Sequence, residues 1–225
     1  MSTEYRDPFY LIVVGRPRSG KSRWVQENIV KHRDADPRTL VIPANEADAS
    51  VTWAGLPALP VKGDYEPDEL DPKGRDQRIV FSPDMLTFRR PSLLHVVEDQ
   101  RRFEAVYHPK RGMRNGVLVL DDMKNYIKSN AELPSRVATM FRSRGHLMLD
   151  IVCIVHSFDE INRQLLAWGP KLVVFATDLP PGDAAREKIR NIDELDLTID
   201  RVNRIANSGS NPYYHEFFTP QTIGE

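Results

Sequence analysis

The stretch GRPRSGKS, Gly15 to Ser22, decides how this chain reads. It satisfies G-x-x-x-x-G-K-[ST] in full, directly follows the apolar run Phe9 to Val14, and precedes a helical pattern. Glycines at both ends let the backbone curl so that successive N–H groups converge on an anion, and the following helix aims its positive end at the same point. In such a loop the lysine, Lys21, reaches the β- and γ-phosphates and the hydroxyl of Ser22 holds Mg²⁺. The expected nucleotide-binding set is therefore Gly15, Arg16, Pro17, Arg18, Ser19, Gly20, Lys21 and Ser22, with Arg23 beside it, and the expected ligands are ATP and Mg²⁺.

Working outward, FYLIVV (Phe9 to Val14) is apolar without alternation and too short for a helix, the mark of a strand buried on both faces. Behind the loop, Trp24, Val25 and Ile29 line one side of a helix expected to run to about His32, where Asp34, Asp36 and Pro37 end it. Short strands are expected at Thr39 to Ile42 and Arg78 to Phe81, separated by an irregular excursion at about 44–77 that is rich in Pro, Gly and Asp. Leu93, Val96, Val97, Phe103, Val106 and Tyr107 recur at helical spacing.

Val117 to Leu120 forms an apolar strand that delivers Asp121 and Asp122 at its carboxyl end, where ligands of open α/β sheets bind. Downstream of a complete phosphate loop, this pair suits hydrolysis. The first carboxylate supports the Mg²⁺ shell and the second orients or deprotonates water. A helix follows over Leu133 to Arg144, then the strand opened by Asp150 and ending at His156 and Ser157. Asp159 is expected to cap a helix bearing Ile161, Leu165 and Leu166. Beyond it come a strand at Leu172 to Ala176, a charged helix from about Ala184 to Arg190, and an aromatic strand at Tyr213 to Phe218. Strands alternating with helices indicate one three-layer α/β domain over 1–225 with a mostly parallel sheet and a C-terminal extension from about 180.

The composition bounds the partners. A net charge of -1 excludes a uniformly basic, nucleic-acid-coating protein and leaves room only for a local basic patch. HPKRGMRN, His108 to Asn115, is that patch: Lys110, Arg111 and Arg114 form either a solvated turn or a loop against DNA phosphates. The single cysteine, Cys153, lies inside IVCIV and reads as a buried hydrophobe in a reducing compartment. No apolar run approaches the ~18 residues that span a bilayer. The chain reads as cytoplasmic, in the host cytoplasm or associated with a virion if it is viral.

Three pieces in order, GRPRSGKS, LVLDDM and FRSRGH feeding DIVCIVHS, resemble the FtsK–HerA superfamily of P-loop DNA-pumping ATPases, and most of all its small viral genome-packaging members. The resemblance spans roughly residues 9 to 178. It implies a RecA/FtsK-like P-loop NTPase fold, ATP hydrolysis coupled to DNA translocation, a homo-oligomeric ring and contact with a capsid vertex. It also implies roles. Lys21, Asp121 and Asp122 are catalytic, and His156 stands where the family's polar sensor, usually Gln, ends the fourth strand. Arg142 and Arg144 match the turn from which a neighbouring subunit supplies an arginine, while Arg16 and Arg18 are the candidates to act in cis. The family's second acidic residue is usually Glu, so Asp122 is shorter by one methylene. In FRSRGH the Arg and His are ordered differently, with a spacing one residue longer.

Two other readings use the same loop. A nucleoside or nucleotide kinase needs an arginine-rich lid, for which residues 181–204 offer Arg186, Arg190, Arg201 and Arg204. A zot-like phage assembly ATPase ranks lower, because that group carries a transmembrane segment and this sequence shows none.

Overall fold

Tyr10–Val14 forms β1, and every one of its residues is buried. The computed structural model describes residues 7–30, 38–42, 116–125, 127, 129, 132–133 and 135–222. Within them the other strands are β2 (Arg38–Ile42), β3 (Gly116–Leu120), β4 (Leu149–Val155), β5 (Lys171–Phe175) and β6 (His215–Phe218). They join in one sheet in the order β2-β3-β4-β1-β5-β6. All neighbours are parallel except β5 and β6, so the sheet is mostly parallel with an antiparallel edge, as the alternating pattern predicted.

The unbroken apolar runs are explained by the two faces of this sheet. Ile12, Val14, Leu118, Leu120, Ile151, Cys153, Val155, Leu172 and Val174 point into one core, while Leu11, Val13, Val117, Val119, Val152, Ile154, Val173 and Phe175 point into the other. Because side chains alternate along a strand, a strand covered on both sides must be apolar at every position. Register locks the layers together, with Ile12 opposite Cys153 on one side and Leu172 on the other. Cys153 is fully buried, and that burial pushes its thiol pKa up, as expected of a packing residue.

The first core is closed by α2 (Ser135–Arg142) and α3 (Arg144–Leu147), which contribute Met140, Phe141 and Leu147. Leu165 and Leu166 of α4 (Arg163–Ala167) fill it further, with Ala185 from α5 (Asp183–Arg186) and Leu195 and Ile199 from α6 (Ile192–Asn207). The second core takes Val25 from α1 (Lys21–Val25), with Trp24 and Ile29 packed on it. The π-helical turn Gln26–Val30 continues α1.

Several local expectations are corrected. Asp159 does not cap the helix after β4; it lies in a 3-10 turn, Phe158–Glu160, and Asn162 is the cap, its side chain accepting a hydrogen bond from the Gln164 N–H at 2.9 Å. The charged helix expected over 184–190 ends at Arg186. The 16-residue α6 was not anticipated; it packs on β5 and β6, so residues beyond 180 complete the same sheet and core. The last strand begins at His215 rather than Tyr213. The strand at 78–81, the excursion at 44–77, the helix over 93–107 and the basic loop 108–115 lie outside the described residues. Among the described residues no helix is long and apolar enough to cross a membrane.

Candidate active site

The phosphate-binding pattern leaves the sheet between two strand ends: the Gly15 N–H donates to Val155 O at 3.3 Å and the Arg16 N–H to Ala176 O at 2.7 Å. Gly15 is demanded by this close approach, since a Cβ there would sit 2.6 Å from Phe175 Cβ and 3.0 Å from Ala176 O. Arg18 (φ 63) and Gly20 (φ 95) take left-handed backbone, which turns the chain into α1. Ser19 Oγ and Lys21 are buried within the turn.

Lys21 Nζ donates to Gly15 O at 2.5 Å and to Arg16 O at 2.8 Å, and lies 3.3 Å from His156 Nδ1. Burial lowers the Lys21 pKa from 10.5 to about 8, opposed by the nearby Asp121 carboxylate. The ammonium therefore persists at neutral pH. Ser22 Oγ donates to Asp121 Oδ1 at 3.4 Å, joining the start of α1 to the end of β3. Asp122 follows in left-handed backbone (φ 51), and its Oδ1 stands 3.6 Å from His156 Nε2.

His156 is thus set between a cation and a carboxylate. Burial and the Lys21 charge both lower its pKa, so it is neutral at pH 7. Lysine only donates, hence Nδ1 accepts from Lys21 and the ring proton sits on Nε2, toward Asp122. Two further residues complete the cluster without having been singled out from the sequence. Glu160 accepts the His156 backbone N–H at 2.7 Å through Oε2 and pairs with Lys124 Nζ at 2.8 Å through Oε1, while Lys124 lies 3.8 Å from Asp122. The Lys124 and His156 hydrogen bonds hold the Glu160 pKa below its usual value against the opposing effect of burial. The available signal was an acidic residue four positions after the strand-end histidine, which has no meaning until the intervening 3-10 turn folds it back.

The arginines divide. Arg16 is turned away from Lys21 onto Asp178 (3.2 Å) and Asn207 (2.9 Å), fastening the loop to the end of α6. Arg18 and Arg23 are exposed, and Arg23 pairs with Glu27 at 2.9 Å. Arg142 and Arg144 precede β4, whose seven residues span about 20 Å, so they lie at the opposite end of that strand from His156. There Arg142 packs over the Trp168 ring and Arg144 over Tyr10, with centroid distances of 5.4 and 5.5 Å. Of the residues proposed for a kinase lid, Arg186 is held by Asp196 at 2.9 Å and Arg201 by Glu216.

The residues present fit a triphosphate and Mg²⁺. Ser19 Oγ is buried with no hydrogen-bond partner among the described residues, inside the turn that carries Lys21. Ser22 and Asp121 form a hydroxyl–carboxylate pair. No group of three or more His, Cys, Asp or Glu able to hold a metal occurs among the described residues.

A buried central strand feeding this loop, with an acidic strand end two positions away in the sheet, defines an α/β P-loop NTPase fold. Solved structures agree. The genome packaging NTPase B204 from Sulfolobus turreted icosahedral virus 2, in complex with AMPPCP, matches over 98% of this chain and 100% of its own, at 13% identity and a TM-score of 0.61. Its complex with AMP matches over 97% and 99%, at 12% identity and a TM-score of 0.58. B204 from Sulfolobus turreted icosahedral virus, described as a DNA-packaging ATPase, matches over 96% and 99%, at 13% identity and 0.55. At these identities the likeness is one of fold, and it is the fold expected from the resemblance to the FtsK–HerA superfamily. No protein-family profile matches the sequence, and comparison with curated proteins finds no match.

Proposed function

We propose that this protein is an ATP-hydrolysing DNA translocase that packages a viral genome as a ring oligomer. The observation that carries the hydrolytic part is the convergence of Lys21, Ser22, Asp121, Asp122 and His156 at the carboxyl ends of β1, β3 and β4. Full-length structural likeness to packaging NTPases supports the packaging part.

The roles follow from the contacts. Lys21 exchanges its two loop carbonyls for β- and γ-phosphate oxygens, and Ser19 and Ser22 hydroxyls face the same turn. Ser22 and Asp121 would hold Mg²⁺, which would offset phosphate charge when bound. Asp122 accepts the proton of the attacking water, and neutral His156 orients that water or reports the γ-phosphate through Nε2–H. Glu160 fixes the His156 backbone. Arg142 and Arg144 lie too far from their own site to act in cis, so they serve a neighbouring subunit. Lys110, Arg111 and Arg114 supply phosphate contacts to DNA, and the capsid vertex is the proposed docking partner.

The test is phosphate release from ATP with and without DNA and with nucleoside monophosphates, alongside the particle mass in solution. DNA-stimulated release by an oligomer is expected. Phosphoryl transfer to a monophosphate would replace this reading with the kinase, and a DNA-insensitive monomer would remove the translocase. The kinase reading is not favoured, because Arg186 and Arg201 are committed to ion pairs on α6 and β6.

A further inference from the structure

Among the described residues Tyr213 belongs to neither buried cluster and is 54% exposed, and its ring lies on the phosphate-binding turn. A Cβ added at Gly20 would stand 2.8 Å from Tyr213 Cδ1, 3.5 Å from Cγ and 3.6 Å from Cε1. The glycine that begins α1 is therefore roofed by an aromatic ring contributed from almost the far end of the chain.

The ring is held by structure on both sides of it. Before it, Ser208 Oγ and Ser210 Oγ are 2.7 Å apart, and Asn211 Oδ1 accepts the Tyr213 N–H at 3.1 Å. After it, Tyr213 O is 3.2 Å from His215 Nδ1, and the His215 ring stacks on Phe175 with centroids 4.8 Å apart at 21°. The His215 ring also meets Trp24 edge-on at 5.4 Å. Tyr213 is thus tied through His215 to Phe175 of β5, the neighbour of the strand that carries the loop, while more than half of its surface stays open.

We propose that Tyr213 is the stacking platform for the nucleobase of the bound nucleoside triphosphate. The proposal rests on the reading of Gly15 to Ser22 as the triphosphate site. In that site the γ-phosphate end faces Lys21 and His156, so the base end must leave the turn on the other side, past Gly20 and Arg23, where Tyr213 stands. Arg23 is exposed and within electrostatic range of the Tyr213 phenol, so the ring and the first residue beyond Ser22 share one patch. An aromatic face accepts any base, since every base has a π-face. ATP and GTP should therefore both be held, with little discrimination between them.

The experiment measures equilibrium binding of ATP, GTP and inorganic tripolyphosphate, each with Mg²⁺, to the full chain and to Tyr213→Ala, Tyr213→Phe and Lys21→Ala. Tyr213→Ala should weaken ATP and GTP by between about fivefold and about a hundredfold, the range that loss of one base–aromatic stack implies. Tripolyphosphate binding should be unchanged, and Tyr213→Phe should retain the affinity of the parent for all three. Equal weakening of tripolyphosphate and ATP by Tyr213→Ala would make the ring a support for the loop and overturn the proposal. Unchanged ATP and GTP binding by Tyr213→Ala would overturn it as well. Failure of the site itself looks different: Lys21→Ala would then bind all three as the parent does, or the parent would bind none, which removes both readings.

Discussion

Lys21 Nζ and His156 Nδ1, 135 residues apart in sequence, lie 3.3 Å apart across the ends of β1 and β4. Both groups have lowered pKa values through burial, and the Lys21 charge further opposes protonation of His156. In both cases the folded chain binds fewer protons than the unfolded chain, so stability rises with pH through each window. His156 should contribute stability above pH 6.5 that is lost as the pH falls below that value toward its folded pKa. Lys21 should give a second rise between about pH 8 and 10.5. Urea denaturation across this pH range checks both, with His156→Asn flattening the acidic limb and Lys21→Met the alkaline one.

Gly15→Ala should destabilise the fold. The added methyl would meet Phe175 Cβ and the Ala176 carbonyl, both fixed in β5 and the residue after it. Overpacking of this kind costs about 1–3 kcal/mol, read as a lowered midpoint in thermal or urea unfolding.

The two adjacent carboxylates should separate in kinetics. Asp122→Asn should lower phosphate release by about 10²–10⁴-fold, the usual contribution of a positioned base, while nucleotide binding persists. Asp121→Ala should instead weaken Mg²⁺-dependent nucleotide binding, because Asp121 is the group that Ser22 meets. Single-turnover hydrolysis and equilibrium binding distinguish them.

Arg144→Ala should abolish most turnover, by as much as about 10³-fold or more, if its guanidinium serves a neighbour's site. Since Arg144 lies over Tyr10 at the far end of β1 from its own Lys21, mixing inactive Arg144→Ala with inactive Lys21→Ala should restore part of the activity. A mixture that stays inactive at subunit ratios from one-tenth to nine-tenths would exclude that role. Arg142→Ala gives the matching comparison.

Asn162→Ala should cost about 1–2 kcal/mol by removing the cap of α4, whose acceptor holds the Gln164 N–H at 2.9 Å. Chemical denaturation measures it.

Much of this fold is written in short range. The strand starting at Tyr10, the turn that follows and the acidic end of β3 were readable because each is a contiguous pattern with one physical cause. A strand covered on both faces must be apolar throughout, and a turn wrapping an anion needs glycine at set positions. The cap of α4 was misread because Asp159 and Asn162 are both good caps, and only the extended backbone of Asn162 (φ -65, ψ 129) chooses between them. The helix α6 escaped because its apolar residues Leu195, Ile199 and Val202 are spaced among charges that read equally well as a solvated lid; burial against β5 and β6 decides that. The position of Arg16 in the loop is read from the sequence, and only the tertiary structure brings its guanidinium to Asp178 and Asn207.

From sequence alone, Gly15 to Ser22 establishes a phosphate-binding turn between a buried strand and a helix, because that conformation depends on residues adjacent in the chain. Which groups surround the turn depends on the strand order β2-β3-β4-β1-β5-β6. Placing β4 beside β1 brings His156 to Lys21, placing β3 next to β4 brings Asp121 to Ser22, and returning β6 against β5 lays Tyr213 over Gly20. These contacts join residues roughly 100 to 190 positions apart, and the pairing of the strands, parallel for β1, β3 and β4 and antiparallel for β6, sets them rather than local pattern.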